Sequence, residues 1–263
     1  MDGPTRFARP LAAMASRSVR RRAAALGLSL AAAIAAPAGI AQQVYDEDLL
    51  KATPKGQSGA WDDFFHAVKV DDARAVARLL AKGFDPNAVE PERGDNGLIL
   101  ALRENCMKVF RVLLDAPGID IEHEVRNGDT AIMIAAFKGN LPAVRALLEK
   151  GAEINRPGWT ALHYAAASGS TELVALLLDR SAYIDAESPN KTTPLMMAAW
   201  QGHADAVRLL LEEGADPRPK NLRGMTATDF ARVANRQDIA DLIAAHTKAH
   251  PKPEYVPPAP PGS

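Results

Sequence analysis

The sequence has a single cysteine, Cys106, in 263 residues, so no disulfide can form within one chain. Aromatic residues make up only 5% of the chain, although 47% of its residues are hydrophobic. Alanine and leucine dominate the hydrophobic set, and this composition favours closely packed helices over a β-sandwich. A chain of this length holds one or two ordinary domains, or one short repeat array.

A basic excess is also missing once the N-terminus is set aside. Residues 1–41 contain six arginines and one acidic residue, which leaves 25 basic and 31 acidic residues in the remainder. The remainder therefore carries a formal charge of −6. A surface that binds a phosphate backbone needs the opposite sign, so nucleic acid is not expected as a partner.

Recognisable catalytic and metal-binding motifs are lacking as well. The sequence has no phosphate-binding loop, nucleophile elbow or zinc pattern. Neither His66 nor His123 has a serine, cysteine or carboxylate at a catalytic spacing. His246 and His250 are four residues apart, but two imidazoles alone make a weak metal site. We therefore expect no enzymatic activity, no cofactor and no metal.

The N-terminus has the order of segments that is typical of a secretory signal peptide. Basic residues 20–22 precede residues 23–36, which carry no charge, and residues 39–41 have the small-x-small form of a cleavage site. We expect cleavage after Ala41 and a periplasmic or secreted protein with no other membrane segment. An uncleaved membrane anchor, cleavage after Ala38 and a start at Met14 are alternatives that the sequence leaves open.

The chain beyond residue 60 repeats itself with a period close to 33 residues. A segment with two or three consecutive leucines recurs, and one leucine of each segment follows its counterpart by 34, 34, 30 and 33 residues. These leucines are Leu80, Leu114, Leu148, Leu178 and Leu211. A short unit with a leucine ridge cannot bury that ridge alone, so the period predicts a stack of units.

Helix-capping residue types keep phase with the leucines. Each unit has threonine, asparagine or aspartate ahead of its first helical segment, and these side chains accept a backbone N–H at a helix start. The residues at this position are Asp62, Asn96, Thr130, Thr160, Thr193 and Thr226. Each unit is therefore predicted to be a short helix, a turn and a second helix.

This unit resembles the ankyrin repeat. Residues 159–186 match the family pattern with their capping threonine, Leu162, His163, an alanine pair and Gly169. The resemblance implies an all-α solenoid of about six helix-turn-helix repeats with short β-hairpin fingers between them. It also implies that His163 and His203 bond backbone groups between repeats, and that the concave side contacts a protein partner.

These patterns divide the chain into four parts. Residues 1–41 are the signal peptide, 42–60 a polar linker or N-terminal cover, and 251–263 a proline-rich tail that is disordered or extended. The ankyrin-repeat domain occupies 61–250. Its predicted repeats are 61–94, 95–128, 129–158, 159–191, 192–224 and 225–250.

The junction between the third and fourth repeats is shorter than the others. Only residues 156–159 separate Asn155 from Thr160, whereas the next junction, from Asp185 to Thr193, is longer. We expect a stunted finger there and a notch in the row of fingers, with Trp159 standing beside it.

The concave side is predicted from the finger tips and the exposed ends of the first helices. Asp95, Arg103 and Asp129 are expected on this side as well. The aromatic residues and the methionine among the candidates should line up and be flanked by arginines, which is a usual hot-spot composition. The candidates for contact with the partner are Arg126, Phe137, Lys138, Arg156, Trp159, Trp200, Gln201, Arg223 and Met225.

Two interpretations of these residues and several functions stay open. In the alternative interpretation, Trp159 folds over its shortened finger and Trp200 covers a neighbouring repeat. The leading function is an exported, monomeric module that binds a protein partner without catalysis. The alternatives are a secreted effector acting on proteins of a host or neighbouring cell, an envelope protein tethered by its tail, and an enzyme with its site in the groove.

Overall fold

The computed structural model describes residues 58–251, which form twelve α-helices and no β-strand. The predicted signal peptide, and nearly all of the predicted linker and tail, lie outside the described residues. The helices are α1 (Ser58–Lys69), α2 (Ala73–Ala81), α3 (Gly97–Arg103), α4 (Met107–Leu114), α5 (Ala131–Phe137), α6 (Leu141–Glu149), α7 (Ala161–Ser168), α8 (Thr171–Asp179), α9 (Pro194–Gln201), α10 (Ala204–Glu212), α11 (Ala227–Val233) and α12 (Gln237–Ala249).

Consecutive helices pair into six helix-turn-helix repeats, as predicted. The first helix of each pair contacts the first helix of the next pair, and these helices form an inner layer. The second helices form an outer layer, in which neighbouring repeats contact each other less extensively. The architecture is therefore the predicted helical solenoid, and its inner layer is the more closely packed of the two.

Small side chains allow the inner helices to approach each other. The alanine pairs in the middle of α5, α7 and α9 have no solvent exposure. They are Ala135 and Ala136, Ala165 and Ala166, and Ala198 and Ala199. The leucines of the outer helices, such as Leu147 and Leu210, are buried against the same layer. One continuous apolar core therefore runs through all six repeats.

Side chains cap several inner helices as predicted. The Asn96 side chain accepts a hydrogen bond from the Ile99 N–H at 2.9 Å. Thr226 and Asp229 cap α11 reciprocally. The Thr226 hydroxyl accepts a hydrogen bond from the Asp229 N–H, and the Asp229 carboxylate accepts one from the Thr226 N–H. Thr130 departs from the pattern, since its hydroxyl is buried and makes no hydrogen bond within the described residues.

The prediction that Asp62 caps the first helix is wrong. Helix α1 begins at Ser58, so Asp62 lies inside the helix. Trp61 and Phe65 are one turn apart, with ring centroids separated by 4.5 Å, and Phe64 stacks on Phe84. Contacts between side chains four residues apart stabilise a helix, so the Trp61–Phe65 contact supports the helical turn that contains Asp62.

The fingers are tight turns rather than the predicted β-hairpins. A single bridge, between Val89 and Asn96, is the only ladder pairing among residues 58–251. The later fingers close with two backbone bonds, as from the Val125 N–H to the Asp129 carbonyl at 3.0 Å and from the Gly128 N–H to the Val125 carbonyl at 2.7 Å. The junction at residues 155–160 has no bond of this kind, which agrees with the predicted stunted finger.

Polar side chains join each finger to the next, and the sequence analysis did not anticipate them. The Asn155 amide donates to the Ser181 carbonyl at 2.7 Å and accepts the Tyr183 N–H at 2.8 Å. Asn87 makes the same pair of bonds two junctions earlier, where its side-chain oxygen accepts the Asp120 N–H at 2.8 Å. These bonds satisfy backbone groups that follow an outer helix and fix the spacing of the repeats.

Histidines bond backbone carbonyls across repeats, as the family resemblance implied. The buried His163 ring bonds the Thr192 carbonyl at 2.9 Å through Nε2, while its Nδ1 lies 3.2 Å from the Thr160 N–H and accepts from it. Burial lowers the pKa of His163 to about 4, so the ring is neutral at pH 7. A neutral ring has one donor and one acceptor, which matches these two bonds.

His203 makes a second bond of this kind and requires a glycine beside it. Its Nε2 lies 3.0 Å from the Ala167 carbonyl, at the end of the preceding inner helix. Gly169 has a positive φ of 78°, and a Cβ there would lie 2.4 Å from the His203 ring. Gly169 is therefore needed both for its left-handed conformation and for the close approach of the imidazole.

Replacing Gly169 by alanine should destabilise the protein more than the same change at Gly151. Both glycines have a positive φ, but a Cβ at Gly151 would meet nothing within 4 Å. Gly151→Ala should cost about 1 kcal/mol of conformational strain. Gly169→Ala should cost roughly 1–3 kcal/mol more, because the His203 ring must leave its site. Urea denaturation measures both losses, and equal losses would contradict the role of the imidazole contact.

Candidate protein-binding surface

The nine predicted contact residues lie on the inner-layer side, at helix ends and finger turns. They differ in exposure, because some point to solvent and others pack partly on a neighbouring repeat. Exposed are Arg126, Phe137, Lys138 and Arg223. Half-buried are Arg156, Trp159, Trp200, Gln201 and Met225.

One aromatic cluster joins the third and fourth repeats. Phe137 and Trp159 both contact the buried ring of Tyr164, with centroid separations of 6.2 and 6.4 Å. Trp159 also meets the His163 ring edge-on at 5.1 Å. Because Tyr164 and His163 belong to α7, the two predicted residues rest on one inner helix. Phe137 still keeps 36% of its surface exposed.

Trp200 belongs to a second cluster. Its ring packs on Phe230 of the following repeat, with a centroid separation of 5.8 Å. Ala167 occupies in the fourth repeat the position that Phe137 and Trp200 occupy in theirs, and it is buried. The short side chain separates the two clusters, so the expected row of four apolar residues is interrupted. Trp200 covers its neighbour, as in the alternative interpretation, and remains half-exposed.

The arginines that were expected to flank the aromatics have different environments. Arg156 is largely buried and pairs with Glu124, so it stabilises the junction. The Arg126 guanidinium donates to the Pro91 carbonyl but makes no ion pair with a described residue. Arg223 makes no described ion pair either. Of the three arginines, only Arg126 and Arg223 therefore present an unneutralised charge.

Two carboxylates that were expected on the concave surface are instead buried beneath it. Asp95 has no exposed side-chain surface and lies 2.9 Å from Arg103 Nε. Asp129 is also buried; it accepts the Tyr164 hydroxyl and the Asn127 amide, the latter at 2.9 Å. A buried carboxylate needs such partners, and these come from the second and fourth repeats.

Burial raises the pKa of both carboxyls. For Asp95 the Arg103 charge and hydrogen bond oppose the effect of desolvation. For Asp129 the hydrogen bonds from Tyr164 and Asn127 oppose it, with a smaller contribution from the Arg103 charge. The available sequence signal was Asp95 directly before the capping residue Asn96, with Arg103 eight residues after Asp95. This signal did not reveal that the Tyr164 hydroxyl would reach Asp129.

The other groups that could carry chemistry within the described residues include the C-terminal histidines and the single cysteine. Within residues 58–251 no three histidine, cysteine or acidic side chains are placed to hold a metal ion. The rings of His246 and His250 stack with centroids 4.3 Å apart. Burial is the main cause that raises the pKa of the Cys106 thiol, which keeps it protonated at pH 7. None of the helices within that range has the length and apolarity to span a bilayer.

The six stacked helix-turn-helix repeats define a helical-repeat solenoid. A model of the family described as ankyrin repeats (3 copies) matches residues 64–158, 109–188, 156–221 and 183–253. The chain therefore belongs to the ankyrin-repeat family. Repeats of this family generally mediate protein–protein interaction.

Similar proteins include animal proteins that are mostly much longer. Human transient receptor potential cation channel subfamily A member 1 is 32% identical over 167 residues, which cover 58% of this chain and 15% of that protein. Mouse nuclear factor NF-kappa-B p105 subunit is 35% identical, over 52% of this chain and 15% of its own length. Mouse B-cell lymphoma 3 protein homolog is 31% identical, over 69% and 42%.

Replacing Tyr164 by phenylalanine should destabilise the protein in a pH-dependent way. The change removes a hydroxyl that favours the ionised Asp129, so we expect a loss of roughly 1–3 kcal/mol at pH 7. The pKa of Asp129, already raised in the folded state, should rise further without the hydroxyl. The Asp129 carboxyl then binds a proton more readily in the folded protein than in the unfolded chain, so the free energy of unfolding falls as the pH rises.

The destabilisation by Tyr164→Phe should therefore be smaller at pH 4 than at pH 7. Urea denaturation followed by circular dichroism at both pH values measures this difference. Tyr183→Phe is the matched control, because the Tyr183 side chain is 69% exposed, and it should cost almost nothing at either pH. An equal loss at both pH values would contradict the role assigned to the Asp129 carboxyl.

Proposed function

We propose that this protein is an exported, non-enzymatic module that binds a protein partner on the concave side of its ankyrin repeats. One observation carries the proposal. Phe137, Trp159 and Trp200 are held on inner helices by ring contacts and yet remain partly exposed. Large side chains that are already fixed lose little freedom on binding, which is a property of interface hot spots.

The surrounding charges support binding rather than catalysis. Arg126, Lys138 and Arg223 are exposed near the aromatic residues, and arginine beside aromatic residues is enriched in interfaces. Three acids have a raised pKa. Asp95 and Asp129 are buried and already bonded, so neither can reach a substrate, and Asp185 already accepts the Asp216 N–H. The partner would therefore be bound through contacts with apolar and cationic side chains.

Binding should depend on the two tryptophans. The immobilised chain is exposed to a periplasmic extract of the source organism, and the retained proteins are identified by mass spectrometry. Trp159→Ala combined with Trp200→Ala should weaken retention of the partner about 30-fold, as expected for roughly 2 kcal/mol lost at a hot spot. Phe137→Asp tests the same surface at a more exposed position.

The matched control is Tyr183→Ala, which removes an exposed aromatic residue outside the candidate set. A protein that is lost from the tryptophan variant but retained by the control would support the concave site. Retention that changes less than twofold in both tryptophan and Phe137 variants would contradict it. Circular dichroism of each variant shows that the solenoid remains folded.

Export is proposed from the N-terminal sequence alone. The basic cluster at 20–22, the uncharged run at 23–36 and the small residues at 39–41 support it. We expect the protein recovered from the periplasm or medium to begin at Gln42. N-terminal sequencing tests this, and an intact N-terminus on a protein that stays in the cytoplasm would refute the export proposal.

A further inference from the structure

The charge of the concave side changes sign between the second and third repeats. Glu104 and Lys138 occupy the same position, immediately after the inner helices α3 and α5, and both are exposed. The finger turns change in the same way, because Glu92 in the first finger and Arg126 in the second occupy the same position and are both exposed. Arg93, at the position of Arg223, lies 3.8 Å from the Asp95 carboxylate. The exposed charge at these two positions is thus negative at Glu92 and Glu104 and positive at Arg126 and Lys138.

Three cations, from the finger that joins the second and third repeats onward, are not neutralised by the protein itself. Arg126, Lys138 and Arg223 are exposed and make no ion pair with any residue in the range 58–251. An unpaired charge at the surface is well solvated and costs little there, but it attracts an opposite charge at short range. These three side chains therefore remain available to a partner.

The acids on the same stretch are already engaged. Glu124 pairs with Arg156, and Glu187 lies 3.8 Å from Lys191. Asp229 lies 3.4 Å from Arg232 and also accepts the Thr226 N–H. Since these three acids each have a partner within the protein, they leave the charges of Arg126, Lys138 and Arg223 uncompensated.

Exposed apolar side chains lie on the same stretch. Leu222 in the last finger is 68% exposed, and Val233 at the end of α11 is 57% exposed. With Phe137, Trp159 and Trp200 they extend the apolar surface from the third repeat to the sixth. An occupant must therefore offer both apolar side chains and negative charge.

Building on the proposed function, we propose that the partner presents an acidic peptide segment with large apolar side chains, which lies along the third to sixth repeats. Its carboxylates meet Arg126, Lys138 and Arg223, while its apolar side chains pack on the two aromatic clusters. A basic segment would be repelled by the same cations, so the surface selects by charge as well as by shape. The acidic N-terminal repeats limit how far such a segment extends.

The experiment uses the full chain and a displayed library of random twelve-residue peptides. The groove variant combines Arg126→Glu, Lys138→Glu and Arg223→Glu. The control variant has the same change in net charge on the outer side, where three exposed arginines make no described ion pair. It combines Arg74→Glu, Arg111→Glu and Arg145→Glu.

The wild-type chain should enrich peptides that contain both acidic and aromatic or leucine residues. A selected acidic peptide should bind the groove variant about tenfold more weakly at low salt, with a smaller difference at high salt because salt screens the charges. The control variant should bind it like the wild type. This pattern supports the inference.

The other outcomes separate the two proposals. Enriched peptides that need Trp200 but are neutral or basic would overturn the acidic partner and leave the proposed concave site standing. Enrichment that ignores both Trp200→Ala and the groove variant, or no enrichment, would overturn both. Competition by single-stranded oligothymidine through the same cations would overturn the inference in favour of a nucleic-acid partner.

Discussion

The contact between neighbouring inner helices is the constraint on which the rest of the structure depends. A nine-residue outer helix with a leucine ridge cannot fold alone, so each repeat needs its neighbours to bury that ridge. The alanine pairs, such as Ala165 and Ala166, allow the backbones of adjacent inner helices to come close. Any larger residue there would separate two repeats and open the core on both sides.

The close stacking of the inner layer leaves few ways to satisfy backbone polar groups between repeats. His163, His203 and Asn155 each bond a backbone carbonyl of a neighbouring repeat. These side chains are committed to structure and cannot take part in binding. The positions left for function are therefore the ends of the inner helices and the turns of the fingers, where Phe137 and Arg223 lie.

Periodicity allowed the helices and the number of repeats to be predicted, whereas the side of the candidate surface was implied by the family resemblance. It could not locate the first helix correctly, because the contact of Trp61 with Phe65 overrides the pattern position of Asp62. Periodicity also could not distinguish, at equivalent positions of two repeats, a side chain that has a charged partner in the protein from one that has none. Arg126 and Arg156 both lie in finger turns, but only Arg156 has a carboxylate partner, and that partner comes from another finger.

The buried Asp129 explains why the aromatic cluster can be a rigid surface. Its hydrogen bond with Tyr164 orients the ring against which both Phe137 and Trp159 pack. A buried carboxylate is costly, and hydrophobic packing alone would stabilise the repeat with less desolvation. A polar contact of fixed geometry instead allows few orientations of Tyr164. Burial of the Asp129 carboxylate therefore costs stability through desolvation. In return, its hydrogen bond with Tyr164 would keep the candidate contact residues in one arrangement before a partner binds.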